Sequence, residues 1–230
     1  MFGLIIAGIS TIASYIGSVG TAIASIGPSI TAAIAQVSAT LAEIAAPLVE
    51  ALKTFAPVIE KVLDLIHLIA RVLGIGKPGV ESQELGARAL EHPKIKLENY
   101  ETYAEYIDDL FNVDFDLESY AKASDGEKAV YKTMGAAIES KAIAEKLEMN
   151  VPVMTFVDAT LCGLVATDVV AIFTAMKKSG MTDASLLSAC LAGNLTDGNK
   201  ETIGGIIENC SGKGLEDLQA ECQKVLPDNE

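Results

Sequence analysis

The sequence has no tryptophan, and only 5% of its 230 residues are aromatic. Its apolar half is Ile, Leu, Val and Ala, which suits helices packed on helices better than aromatic-rich β-sandwiches. An all-α fold is therefore predicted. Basic residues are also scarce, with 17 Lys and Arg against 31 Asp and Glu and a net charge of −14. Such a surface repels nucleic acid and anionic lipid headgroups, so direct phosphate binding is not expected. Histidine is limited to His67 and His92. Neither stands at a motif spacing from a nucleophile, so no catalytic residue is assigned.

Cysteine is confined to Cys162, Cys190, Cys210 and Cys222, without a CxxC or Cys/His spacing that suits a metal. Buried thiols are the first expectation, and disulfides would require an oxidising compartment. Neither state follows from the sequence. Asp158 and Asp168 fail as a catalytic or metal-binding pair, because ten residues on one helix put them on different faces about 15 Å apart. They are read as capping or solvent-facing carboxylates. Asp197-Gly198-Asn199 lacks the later ligands of a calcium loop and is read as a turn. No metal, cofactor or small-molecule substrate is assigned.

Charge is missing altogether from residues 1–42, and the first charged side chain is Glu43. Residues 1–80 are neutral, while the remaining 150 carry 13 basic and 27 acidic residues. What the first part does have is a stripe: Ile5, Ile9, Ile12, Ile16, Val19, Ile23, Ile26 and Ile30, continuing through Leu41, Leu52, Ile59, Ile66 and Ile69 to Leu73. Steps of four and three residues average about 3.6, which predicts long, coiled-coil-like helices packed along one seam. Between the stripe residues lie small ones, such as Ala13/Gly17 and Gly20/Ala24, whose four-residue spacing lets helix backbones approach closely.

Pro28, Pro47 and Pro57 interrupt this pattern, each removing a backbone donor and crowding the preceding turn. Kinks or breaks are predicted there, with helices over residues 4–26, 29–46 and 48–73. The glycines from Gly74 to Gly79 end the last helix. They do not form a phosphate loop, for which Arg71 and Pro78 are the wrong residues. Residues 4–26 have the length to span a bilayer and no basic n-region such as a secretory signal carries. Burial inside a protein assembly would satisfy the same apolar surface.

The start Met1-Phe2-Gly3-Leu4-Ile5-Ile6-Ala7-Gly8-Ile9 resembles viral fusion peptides. With the kinked Ala/Gly/Ser-rich stretch behind it, residues 1–75 resemble the apolar segments of tailed-phage tape-measure and ejection proteins. That resemblance covers a third of the chain, has no diagnostic motif, and implies segments that oligomerise in a tube or enter a target membrane.

The remainder divides into a connector at 77–98, with a short helix over Ser82 to Glu91, and an acidic helical domain at 99–230. Ser124-Asp125-Gly126-Glu127 is predicted to break and recap a helix running from Leu117 to Leu147. Val151 to Met176 is predicted as one central buried helix, and three short helices follow. Functionally, these readings point to a non-enzymatic, homo-oligomeric component of a phage-like or injection apparatus, sited in a particle or at a membrane. Two alternatives stand beside it, a pore-forming or bacteriocin-like effector and a soluble oligomeric scaffold.

Overall fold

The computed structural model describes residues 39–44, 56–195 and 197–225. The described chain is all-α: α1 (Ala56–Val72), α2 (Ser82–Glu91), a 3-10 turn (Leu97–Asn99), α3 (Tyr103–Asn112), α4 (Leu117–Lys122), α5 (Asp125–Leu147), α6 (Val153–Leu161), α7 (Ala166–Lys178), α8 (Ser185–Leu191), α9 (Asp197–Ser211) and α10 (Leu215–Val225).

Local sequence explains where most helices begin and end. Ser124 and Glu127 form a reciprocal capping box that starts α5, so the break predicted there separates α4 from α5. Thr102 and Glu105 do the same for α3, and the Asp116 side chain caps α4. After α1, Gly74, Gly76 and Gly79 all take positive φ, which residues with a Cβ adopt at a cost. The helix therefore stops there and the chain turns into α2.

The predicted helix over Val151 to Met176 is two helices. Cys162 ends α6, Gly163 adopts φ +67°, and the Leu164 amide returns to the Ala159 carbonyl at 3.0 Å. Asp168 then accepts the Val165 amide at 3.5 Å and starts α7. An apolar run hides this break, because hydrophobicity continues through a glycine that the backbone uses as a stop.

The core crosses the boundaries drawn from composition. Helix α1, placed by its stripe in an N-terminal segment, buries Ile59, Val62, Leu63, Ile66 and Ile69 against α5, α6 and α7. Helix α2, placed in a connector, packs most extensively on α5. Each of these large side chains stabilises the fold by about 1.5–3 kcal/mol relative to exposure. Leu41, within the helical residues 39–44, joins the same core. Around α6 and α7 the core continues through Phe156 and Phe173, packed edge to face with centroids 6.4 Å apart, to Leu187, Ile203 and Leu218.

Two cysteines are bonded: Cys162 at the end of α6 joins Cys222 on α10 across 60 residues. Cys190 is a buried thiol and Cys210 a partly buried one. Cross-linking so distant a pair restricts the unfolded chain, a contribution of about 2–4 kcal/mol. Cys222→Ser is expected to lose that amount in chemical denaturation, and reduction of the native protein should reproduce it.

Candidate functional site

The predicted seam residues Ile5, Ile9, Ile12, Ile16, Val19, Ile23, Ile26 and Ile30, with Pro28 and Pro47, lie outside the described residues. Pro57 is the second residue of α1 (Ala56–Val72), and the turn before it, where the sequence predicts a kink, lies outside the described residues. The described body brings a different set together, around the two helices that approach most closely.

On α5, Gly135 faces Ser82 of α2, and a Cβ at Gly135 would lie 1.8 Å from the Ser82 carbonyl oxygen. Gly86 of α2 faces Tyr131 of α5 in the same way. Successive positions on α2 thus meet receding positions on α5, and the helices run antiparallel with backbones nearly touching. This approach carries the Ser82 hydroxyl to the next inward position of α5, where it donates to Glu139 Oε2 at 2.5 Å.

Glu139 is a buried carboxylate, 5% exposed, flanked in sequence by Ala136, Ala137, Ile138, Ala142 and Ile143. Its other oxygen receives His67 Nδ1 at 2.7 Å from α1. The far side of the ring, Nε2, lies 3.4 Å from the exposed Glu81 carboxylate. Hydrogen bonding to Glu139 raises the His67 pKa above 6.5, against a smaller opposing effect of burial. The ring therefore links an interior carboxylate to a surface one, and protonation makes both contacts ion pairs.

Tyr103, on α3, completes the cluster. Its hydroxyl is buried and has no hydrogen-bond partner among the described residues, and burial together with the Glu139 charge holds its pKa well above 10. A cavity of about 20 Å³ lies among His67, Arg71, Lys77, Tyr103, Phe111 and Glu139. That is room for one water.

In a nucleophilic triad the serine hydroxyl gives its proton to the histidine, which the carboxylate orients from its other nitrogen. Here Ser82 and His67 both donate to one carboxylate, so the serine oxygen has no imidazole base. Nor does the cavity admit a substrate. Comparison of the chain with protein-family models, with curated proteins and with solved structures finds no match.

The cluster was only partly visible in sequence. The sequence singles out His67 but no partner for it, because Ser82 and Glu139 stand 15 and 72 residues away. The signal for Glu139 is an acid inside a run of small and apolar residues, where a charge must be paired to be buried. Asp158 and Asp168, predicted to share one helix, stand on α6 and α7: Asp168 caps α7, while half-buried Asp158 accepts the Ser188 hydroxyl and burial raises its pKa. Among the described residues no group of three His, Cys, Asp or Glu side chains is placed to hold a metal ion.

The raised pKa of His67 has a definite consequence for stability. A group that binds its proton more tightly when folded stabilises the fold fully below its unfolded pKa. That contribution fades as pH rises through the folded value. Unfolding free energy is expected to decline with pH from about 6.5 upward, and His67→Gln should flatten this part of the profile. Denaturant titrations at stepped pH, with the imidazole followed by NMR, check both points.

Proposed function

We propose that the protein is a non-enzymatic, membrane-interacting structural component of a phage-like or injection apparatus. In this reading the acidic helical body carries the charge-free residues 1–42, which oligomerise through the Ile5 to Ile30 seam and enter a membrane. Long helices kinked at Pro28 and Pro47 belong to the same reading. The supporting observation is how the stripe is divided. Its last part, Ile59 to Ile69, is used up inside the body's own core. Among the described residues no helix is long and apolar enough to cross a membrane. In this reading the apolar sequence left for an external cover, lipid or neighbouring subunits, lies before the buried Leu41, and burial there gains about 25 cal/mol per Å².

The test uses the full chain, because α1 belongs to the core and cannot be removed with the N-terminal segment. Light scattering without detergent and flotation with liposomes are run on the native protein and on a variant with Ile9→Glu, Ile16→Glu and Ile23→Glu. Flotation that the substitutions abolish is the expected result. A discrete oligomer that ignores liposomes, and dissociates on substitution, would replace this reading with that of a scaffold.

A second reading, a pore-forming or bacteriocin-like effector, is favoured by one feature. The Cys162–Cys222 bond suits a protein that works in an oxidising compartment. Dye release from liposomes by the isolated protein would select that reading.

A further inference from the structure

The C-terminal half of α2, away from Ser82, forms one wall of an open cleft of about 330 Å³. Leu90 and Glu91 face Phe115, Asp116 and Tyr120 across it, and Tyr131 of α5 lies beside them. The three aromatic rings make a continuous row, with centroids 5.4 Å apart from Phe115 to Tyr120 and 6.2 Å from Tyr120 to Tyr131. Both charged side chains lining the cleft are acidic, and among the described residues no Lys, Arg or His lines it.

Charged groups of both signs surround the cleft. The phenols of Tyr120 and Tyr131 are held above their ordinary pKa by burial and then by the carboxylates of Glu84 and Glu127 respectively. Two cations stand nearby: Arg88 stacks on Phe111 and Phe115 at 4.3 Å from each centroid and pairs with Glu84 at 2.9 Å, and Lys122, paired with Glu118, also acts on Asp116. One of the three rings therefore already accepts a cation from the protein itself.

We propose that this cleft is a binding site for a small organic cation of the alkylammonium class, its charge placed over the Tyr120 and Tyr131 rings and against Glu91 and Asp116. Aromatic faces attract weakly hydrated cations, most of all where carboxylates flank them. A hard metal ion is a poor fit. Asp116 already accepts Ser119 N at 2.9 Å and Ser119 Oγ at 2.7 Å, and Glu91 accepts the Asp116 amide at 3.4 Å. Two carboxylates so engaged fall short of the six to eight oxygens calcium takes. The volume sits at the low end of the roughly 300–1,000 Å³ of small-molecule pockets, which suits a ligand of a few carbon atoms.

The probe is tetramethylammonium chloride titrated into the full-length protein, with sodium chloride at equal ionic strength as control. Tyrosine and phenylalanine ring resonances report on the cleft, and tyrosine emission does so without interference from tryptophan. A saturable change with tetramethylammonium that sodium does not produce is expected. Tyr131→Leu should weaken binding about fivefold and Tyr131→Phe by less than about twofold, since the ring supplies the attraction. Glu91→Gln, at an exposed position, should also weaken it about threefold by removing the charge. It decides the matter if Tyr131→Leu melts early. A linear response, an equal response to sodium, or unchanged affinity in Glu91→Gln overturns the proposal.

Discussion

Gly135→Ala is expected to be the most damaging single-methyl addition in the body, enough to leave little folded protein at 37 °C. The added Cβ would stand 1.8, 2.5 and 2.9 Å from the carbonyl oxygen, carbonyl carbon and Cα of Ser82. No side chain can swing aside, because every one of these atoms is backbone. Helix α2 would have to move away from α5 along its length. Over-packing that a core absorbs by shifting side chains costs about 1–3 kcal/mol, and separating two backbones costs more, so a loss of at least about 4 kcal/mol is expected. Gly86→Ala meets the Tyr131 carbonyl oxygen at 1.8 Å and should behave alike. Thermal melts by circular dichroism check the pair. A change within about 1 kcal/mol at Gly135 would show that the helices lie farther apart than described.

His67→Ala is the second large effect, for an electrostatic reason. The Glu139 side chain is paired with one imidazole and held by one hydroxyl. Removing the ring leaves a buried charge with a single neutral donor, a change that typically costs about 3–5 kcal/mol. For a protein of this length that is a fall in Tm of about 6–20 °C. Replacing both partners together, His67→Leu with Glu139→Leu, removes the unpaired charge and should recover much of the loss. A double variant no more stable than His67→Ala would mean that the pair does not act as a unit. The exposed Glu81 on the other side of the ring contributes little, and Glu81→Gln should change stability by less than about 1 kcal/mol.

The two effects share one cause. Gly135 brings α2 close to α5, and that closeness places Ser82 on Glu139. Loosening the helices therefore also strips the carboxylate of its second donor. Additivity should fail between Gly135→Ala and Ser82→Ala, which touch the same contact.

The sequence by itself determined the helical class and most helix ends, since those depend on neighbours three or four residues apart. The Ser124–Glu127 box, the glycines after Leu73 and the inward stripe of α1 are all readable at that range. It also determined that residues 1–42 carry no charge. It did not reveal that α1 belongs to the acidic body. Period and composition show that a face is apolar, and only the fold shows what covers it. Nor did it reveal the stop at Gly163, where a glycine in an apolar run reads equally as helix interior or helix end. The tertiary structure alone decided the Cys162–Cys222 bond, the His67–Glu139–Ser82 cluster and the aromatic cleft. Their members lie up to 72 residues apart. No local rule relates such residues, and they meet because glycines and alanines on α5 let the other helices approach.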